Sequence, residues 1–271
     1  MALTLGGLAG DLTWNVRTKG SRWTAAEPRG DNLAIPGRDG SVWRPGKRLD
    51  QLSFAIEVWL LGCAPDGSMP RNQDARALLK ARYETLLHAL RPPGTLTELV
   101  DTDTGRRCYA ELAGGPDPDT MAGGTRAEVE FDVIVPAGCW EDVTPFTLAD
   151  TPIANGTTVT VPGAGGSPLP VTDTVITVTG PGRNVRITEP GGEWLAWSGD
   201  LPASKLIIDT KAYTAKYQGG TINYLPRVSW SAVPMLPIRA YPGNPALTIA
   251  IEQAGGASRI NVTGRRRWYT A

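Results

Sequence analysis

Histidine is almost missing from this chain: His88 is the only one in 271 residues. A single imidazole removes the commonest general base from nearly every position. Cysteine is sparse as well, with Cys63, Cys108 and Cys139 far apart. An odd count without close spacing makes neither a disulfide framework nor a zinc site, and it fits synthesis in a reducing cytosol. Long apolar runs are lacking. The longest lies around Val58 to Leu61, far short of the ~20 residues that span a bilayer. Residues 1–11 have no basic stretch before an apolar run, so they do not read as a signal peptide. Excess charge of one sign is lacking too: 27 Lys and Arg balance 27 Asp and Glu. That balance argues against partners bound by bulk charge, such as bare nucleic acid or an anionic membrane. It leaves little self-repulsion, which suits a protein that works inside an assembly.

Glycine and proline are plentiful. With 32 Gly and 23 Pro they fill about a fifth of the chain, against a usual ~12%. Both interrupt helices, so turn-rich β structure is the natural reading. Apolar residues make up 41%, enough for a packed core. Nine Trp against three Phe is an unusual ratio. Trp is favoured in sandwich cores and at interfaces.

Leu52, Phe54, Ile56, Val58 and Leu60 alternate with other residues, which predicts a strand over 52–60. A helix is expected from Gln73 to Arg91, capped by Asn72, with Asp74 near its positive end. Leu78, Leu79, Tyr83, Leu86, Leu87 and Leu90 form its apolar stripe, and Pro92-Pro93-Gly94 stops it. Strands follow at 95–100, 107–112 and 127–135. The first half, 1–142, therefore reads as an α+β unit, a β-sandwich with one helix. The second half, 143–271, shows eight short β-rich runs between turns, and reads as an all-β sandwich or jelly roll. The fold class is mainly β. Charge also splits at this boundary: 16 basic and 20 acidic groups before it, 11 and 7 after it.

The stretch 14–48 resists assignment. It is broken by Pro28, Pro36 and Pro45, and carries eight Arg or Lys against three acids. Long loops of this kind inside a compact domain are usually functional. We read it as an arm reaching a neighbouring subunit, through Trp14, Arg22, Trp23, Arg29, Arg38, Trp43 and Arg44, because interfaces favour Trp and Arg. No catalytic constellation is recognisable. His88 sits among leucines on the helix, no Gly-x-Ser-x-Gly occurs, and the acid pairs Asp101 with Asp103 and Asp117 with Asp119 fall in turns. The run Gly163-Ala164-Gly165-Gly166 lacks the following helix that a phosphate cradle needs. Trp194 and Trp197 bracket a short strand on opposite or skewed faces; core packing is their first reading and stacking on a sugar ring the second.

The order of these elements resembles the distal tail proteins of long, non-contractile-tailed bacteriophages. The resemblance is carried by Ile35-Pro36-Gly37-Arg38-Asp39-Gly40, then Arg48 and Asp50, the strand at 52–60, and the helix followed by Gly94-Thr95-Leu96. Arg107-Cys108-Tyr109-Ala110, the strand Val129–Val135, Ile208-Asp209-Thr210, Trp230 and Tyr241-Pro242-Gly243-Asn244-Pro245 continue it. It implies a galectin-like second sandwich and a hexameric ring at the virion tail tip, assembled from subunits made in the bacterial host cytoplasm. Such a ring joins the tail tube protein to the hub and to receptor-binding or fibre proteins. No catalytic residue, cofactor, metal, membrane or sequence-specific nucleic acid is implied. The alternative is a carbohydrate-binding adhesion module that contacts the host cell wall.

Overall fold

Alternation builds the first long strand where the pattern predicts it. Leu52, Phe54, Ile56, Val58 and Leu60 are buried and the residues between them are not. The computed structural model describes residues 3–16, 25–29, 33–34, 41–42, 48–91, 94–114, 119–121, 125–201, 205–231, 235–240 and 243–271. The chain forms two compact units, Met1–Val143 with Tyr269–Ala271, and Thr144–Trp268.

The first unit contains β1 (Leu3–Leu5), β2 (Trp14–Val16), β3 (Pro28–Arg29), β4 (Leu33–Ala34), β5 (Ser41–Val42), β6 (Arg48–Leu49) and β7 (Leu52–Leu61). After α1 (Asn72–Leu90) come β8 (Thr97–Asp101), β9 (Arg106–Leu112), β10 (Asp119–Met121), β11 (Arg126–Val135) and β12 (Trp140–Asp142). The sheet order is β1-β8-β9-β11-β7-β2, all antiparallel. β7 and β11 pair along their whole lengths, from Leu52 opposite Val135 to Leu61 opposite Arg126. Leu99, Ala110, Val129, Phe131 and Val133 join the β7 residues in the core.

The helix differs from expectation in two ways. Arg71, not Asn72, precedes its first turn, and no side chain caps it. Its buried stripe is Ala75, Leu79, Leu86 and Leu90, whereas Leu78, Tyr83 and Leu87 are half-buried. The stripe includes a cation. The Arg82 guanidinium donates to the carbonyls of Leu61 and Cys63, which lie at and just beyond the end of β7. Beside them a Cβ on Gly62 would overlap the Ala75 carbonyl oxygen, so glycine lets helix and strand approach.

The stretch without an evident period has strand structure after all. β2 pairs with β7. Pro28 and Arg29 pair with Leu49 and Arg48, and Leu33 and Ala34 with Val42 and Ser41. These two ladders are nested as in a hairpin; residues 35–40 between the inner pair lie outside the described residues.

The second unit stacks two five-stranded antiparallel sheets. Its strands are β13 (Phe146–Pro152), β14 (Thr157–Thr160), β15 (Val175–Thr179), β16 (Gly182–Thr188), β17 (Trp194–Leu201) and β18 (Lys205–Asp209). β19 (Thr214–Tyr217), β20 (Val228–Trp230), β21 (Ala246–Glu252) and β22 (Arg259–Gly264) complete the two sheets, and β23 (Arg267–Trp268) lies in neither of them. One sheet runs β13-β22-β15-β18-β19 and the other β14-β21-β16-β17-β20. Ile176, Val178, Ile208 and Val262 from the first interleave with Ile187, Leu195, Trp197 and Ile249 from the second in one core. β13 and β20, absent from the sequence reading, are half-exposed edge strands; a register shift between Leu148 and Thr151 further breaks the period of β13.

Candidate functional site

The arm is anchored at its base. The Asp50 amide donates to the Glu27 carbonyl at 2.8 Å, closing the two ends together. Gly138, at φ +64°, sits against this base, where a Cβ would overlap the Asp50 carbonyl oxygen. Arg29 lies on β3, its backbone paired with Arg48. Arg22, Trp23, Arg38, Trp43 and Arg44 lie outside the described residues. Trp14 belongs to the subunit's own sheet: it is 7% exposed on β2, opposite Leu60. The turn before it is tied by Asp11. Its carboxylate accepts the Thr13 amide and hydroxyl at 2.6 Å each, and the Trp14 amide at 3.2 Å. Burial works against ionisation there, but these hydrogen bonds and the charge of Arg82 hold the Asp11 pKa below its ordinary 3.8.

Behind the core, the same alternation points a second set of residues to the outside of the sheet. Register brings Glu57 opposite Glu130, Trp59 opposite Glu128, Ala55 opposite Asp132 and Ser53 opposite Ile134. Glu111 of β9 lies opposite Ile134. Arg126 pairs with Glu128 at 3.0 Å. Further along this face Arg107 reaches Glu98 at 2.8 Å and Glu141 at 2.9 Å, over the Tyr109 ring. Burial disfavours the Arg107 charge, yet Glu141 and the hydrogen bonds raise its pKa above the usual value. Beneath it burial pushes the Cys108 thiol well up, with Cys139 and Glu141 adding to the effect. No described cation pairs with Glu111, Glu130 or Asp132. The sequence reading missed this face because it used each strand only for its buried half. The acids at 128, 130 and 132 were a visible signal.

The acid pair Asp101 and Asp103 is a turn, as expected: the buried Asp101 carboxylate accepts the Asp103 amide at 3.0 Å and the Thr104 amide at 3.3 Å. Asp117 lies outside the described residues. His88 is exposed in the last turn of α1. Among the described residues no group of three His, Cys, Asp or Glu could hold a metal.

In the second unit the two tryptophans part company. Trp197 is 1% exposed, edge-on to Tyr217 at 6.0 Å and Tyr224 at 6.3 Å. It is a core residue and offers no face to a sugar. Trp194, three residues earlier on β17, points to the opposite side, as period two requires. It is half-buried, with the Arg186 guanidinium 4.5 Å from its ring centroid. Near it the buried Glu189 carboxylate takes Arg239 at 2.7 Å.

No protein-family model and no curated protein matches the chain. Solved structures do. The SPP1 Dit (gp 19.1) protein, described as a paradigm of the hub adsorption apparatus in phages infecting Gram-positive bacteria, aligns with a TM-score of 0.69 and 13% identity over 98% of both chains. The phage p2 baseplate in its activated conformation with Sr aligns at 0.45, with 12% identity over 100% of this chain and 98% of that one. The same baseplate with Ca aligns at 0.44, with 10% identity over 97% and 95%. From one end to the other, this chain has the fold of the SPP1 Dit hub protein.

Proposed function

We propose that the chain is a structural protein of a bacteriophage tail tip, an adaptor whose copies close into a ring between the tail tube and the hub and host-recognition proteins. One observation carries this reading: the fold likeness to a hub adsorption protein spans 98% of both chains, so it covers the order of both units rather than a single common module. The arm supports it. Isolated two-stranded ladders are marginal in water, and a hairpin rich in Arg and Trp gains stability by lying on another surface. An arm and a different receiving surface on one subunit form a head-to-tail contact, which closes into a ring when the rotation allows. Six copies is the number that the family resemblance implies. The adhesion alternative has weaker support, because Trp197 is buried and Arg186 covers one side of Trp194.

The test is native mass spectrometry of the chain with its tail-tube and hub partners, together with imaging of tails. A closed ring of one copy number at the tube end is expected. Tails that assemble normally and adsorb without this chain refute the reading.

A further inference from the structure

We propose that the outward face of the β14-β21-β16-β17-β20 sheet binds an acidic oligosaccharide through Arg186, a site that goes beyond the ring reading and does not depend on it. Register lays out the face. One row across the strands is Ser229, Ala196, Arg186 and Ala250. The next is Trp194, Thr188, Thr248 and Thr158. With strands about 4.8 Å apart, the second row runs about 14 Å. Arg186 stands exposed on the central strand, between two alanines whose side chains are too short to cover it. Its guanidinium lies 4.5 Å from the Trp194 ring centroid. Stacking fixes the plane of the fork and leaves its edge N–H groups free for an acceptor. Among the described residues none supplies one, whereas Arg183 has Asp200 at 3.3 Å and Arg239 has Glu189 at 2.7 Å. Neither row contains an acid, and Glu252, further along β21, is taken by Asn184 at 3.0 Å.

The platform under Arg186 is tied down. The buried Glu189 carboxylate accepts the Glu193 amide at 3.3 Å and the Arg239 guanidinium at 2.7 Å, which closes the hairpin just before Trp194. The Trp194 amide donates to the Ser231 hydroxyl at 3.0 Å, and that hydroxyl donates to Glu193. A buried carboxylate pair adds little stability over an apolar replacement. What it secures here is the position of Trp194, and through it the plane of Arg186. The ligand that fits is an acid carried on a polyol. Its carboxylate or phosphate takes the Arg186 fork, and its hydroxyls meet the threonine row. Residues 143–271, with 11 basic and 7 acidic groups, favour an anion. A protein partner needs large apolar anchors. Among the described residues of this unit the large apolar side chains that stand exposed are Tyr213 and Ile222, and neither lies on these strands. A nucleic acid needs a run of cations along its phosphates, and Arg186 is the one cation in the two rows.

Isothermal titration calorimetry of the full chain tests the site with oligogalacturonate, a phosphorylated oligomannose, a neutral oligomannose and a single-stranded oligonucleotide. An acidic sugar should bind, more weakly as salt rises, and the one that binds shows whether Arg186 takes carboxylate or phosphate. The neutral sugar and the oligonucleotide should not bind at the same concentration. Arg186→Gln should weaken binding about tenfold or more. Arg186→Lys keeps the charge without the stacked fork and should fall between the two. Trp194→Leu should weaken binding about threefold in the wild-type chain and no further in the Arg186→Gln chain, which separates positioning from direct contact. Melting temperatures check the fold, and where Trp194→Leu lowers its own the two Arg186 variants decide. Failure of both acidic sugars to bind, binding that survives Arg186→Gln, or equal binding of the neutral sugar overturns the site. Oligonucleotide binding that Arg186→Gln abolishes overturns it and makes this a nucleic-acid face. Ring assembly lost in Arg186→Gln, with no sugar bound by the wild type, overturns it and makes the face a contact between proteins. A wild type that binds the acidic sugar and forms no ring with its tail partners upholds the site and overturns the ring reading alone.

Discussion

Truncating Leu86 to alanine tests which side of α1 faces the sheet. Leu86 is 1% exposed, and Leu87, one residue and ~100° of turn away, is half-buried. Leucine truncation at a closed site removes transfer energy and leaves a cavity, together about 2–5 kcal/mol. Leu87 is already partly exposed, so truncation removes less buried surface, and the loss is about 1 kcal/mol. The affected unit comprises Met1–Val143 and Tyr269–Ala271. For a unit of that size 1 kcal/mol moves the melting temperature by roughly 3 °C. Leu86→Ala should therefore lower the first unit's transition by about 6–15 °C, Leu87→Ala by about 3 °C, and the exposed His88→Ala by less than ~2 °C. Differential scanning calorimetry of the full chain reads all three. A Leu87→Ala shift equal to or larger than that of Leu86→Ala refutes the reasoning, because the helix would then present the stripe centred on Leu87 that the apolar spacing alone suggests.

Arg82→Ala strands the Leu61 and Cys63 carbonyls, and should destabilise the first unit by about 1–3 kcal/mol in chemical denaturation, while Arg82→Lys recovers part of it. The depressed Asp11 pKa stabilises the folded unit above the ordinary value near 3.8. That contribution disappears as pH falls through the lowered value, so Asp11→Asn should flatten the acid limb of a stability–pH curve and leave its shape above pH 5 unchanged. An unaltered acid limb refutes this. Trp197→Ala should destabilise the second unit by about 3–5 kcal/mol. Trp197→Phe should lose far less, because it also removes a buried indole N–H that has no partner among the described residues. Trp23→Ala and Trp43→Ala should weaken ring assembly, leave the monomer's melting temperature nearly unchanged, and leave the arm open to proteases only in the monomer; a monomer destabilised by several kcal/mol places those residues in its own core.

Long elements with a clean period were legible. β7 and β11 each show ten residues of alternation, and their buried halves, Leu52 to Leu60 and Ala127 to Val135, follow from the pattern alone. Short elements were not. β1, β2 and β12 have three residues each, too few to display any period. That is why Trp14 was read with the arm: only its pairing to Leu60 shows that it completes the sheet. Apolar spacing locates the helix and leaves its exact rotation open. Six apolar residues offered a stripe wide enough for two rotations, and the tether from Arg82 to the end of β7 selects one. Arg82 carries no apolar signal, so periodicity cannot use it.

Whole-chain neutrality conceals the charge pattern that bears on assembly. A sum of zero argues against partners bound by bulk charge, and that argument holds for a uniform surface. Here the zero is a sum of unlike parts: the arm at +5, the rest of the first half at −9, and the second half at +4. Composition alone reveals this segregation once the chain is cut at the right places. It cannot reveal that Glu57 meets Glu130, because that pairing joins residues 73 positions apart through strand register.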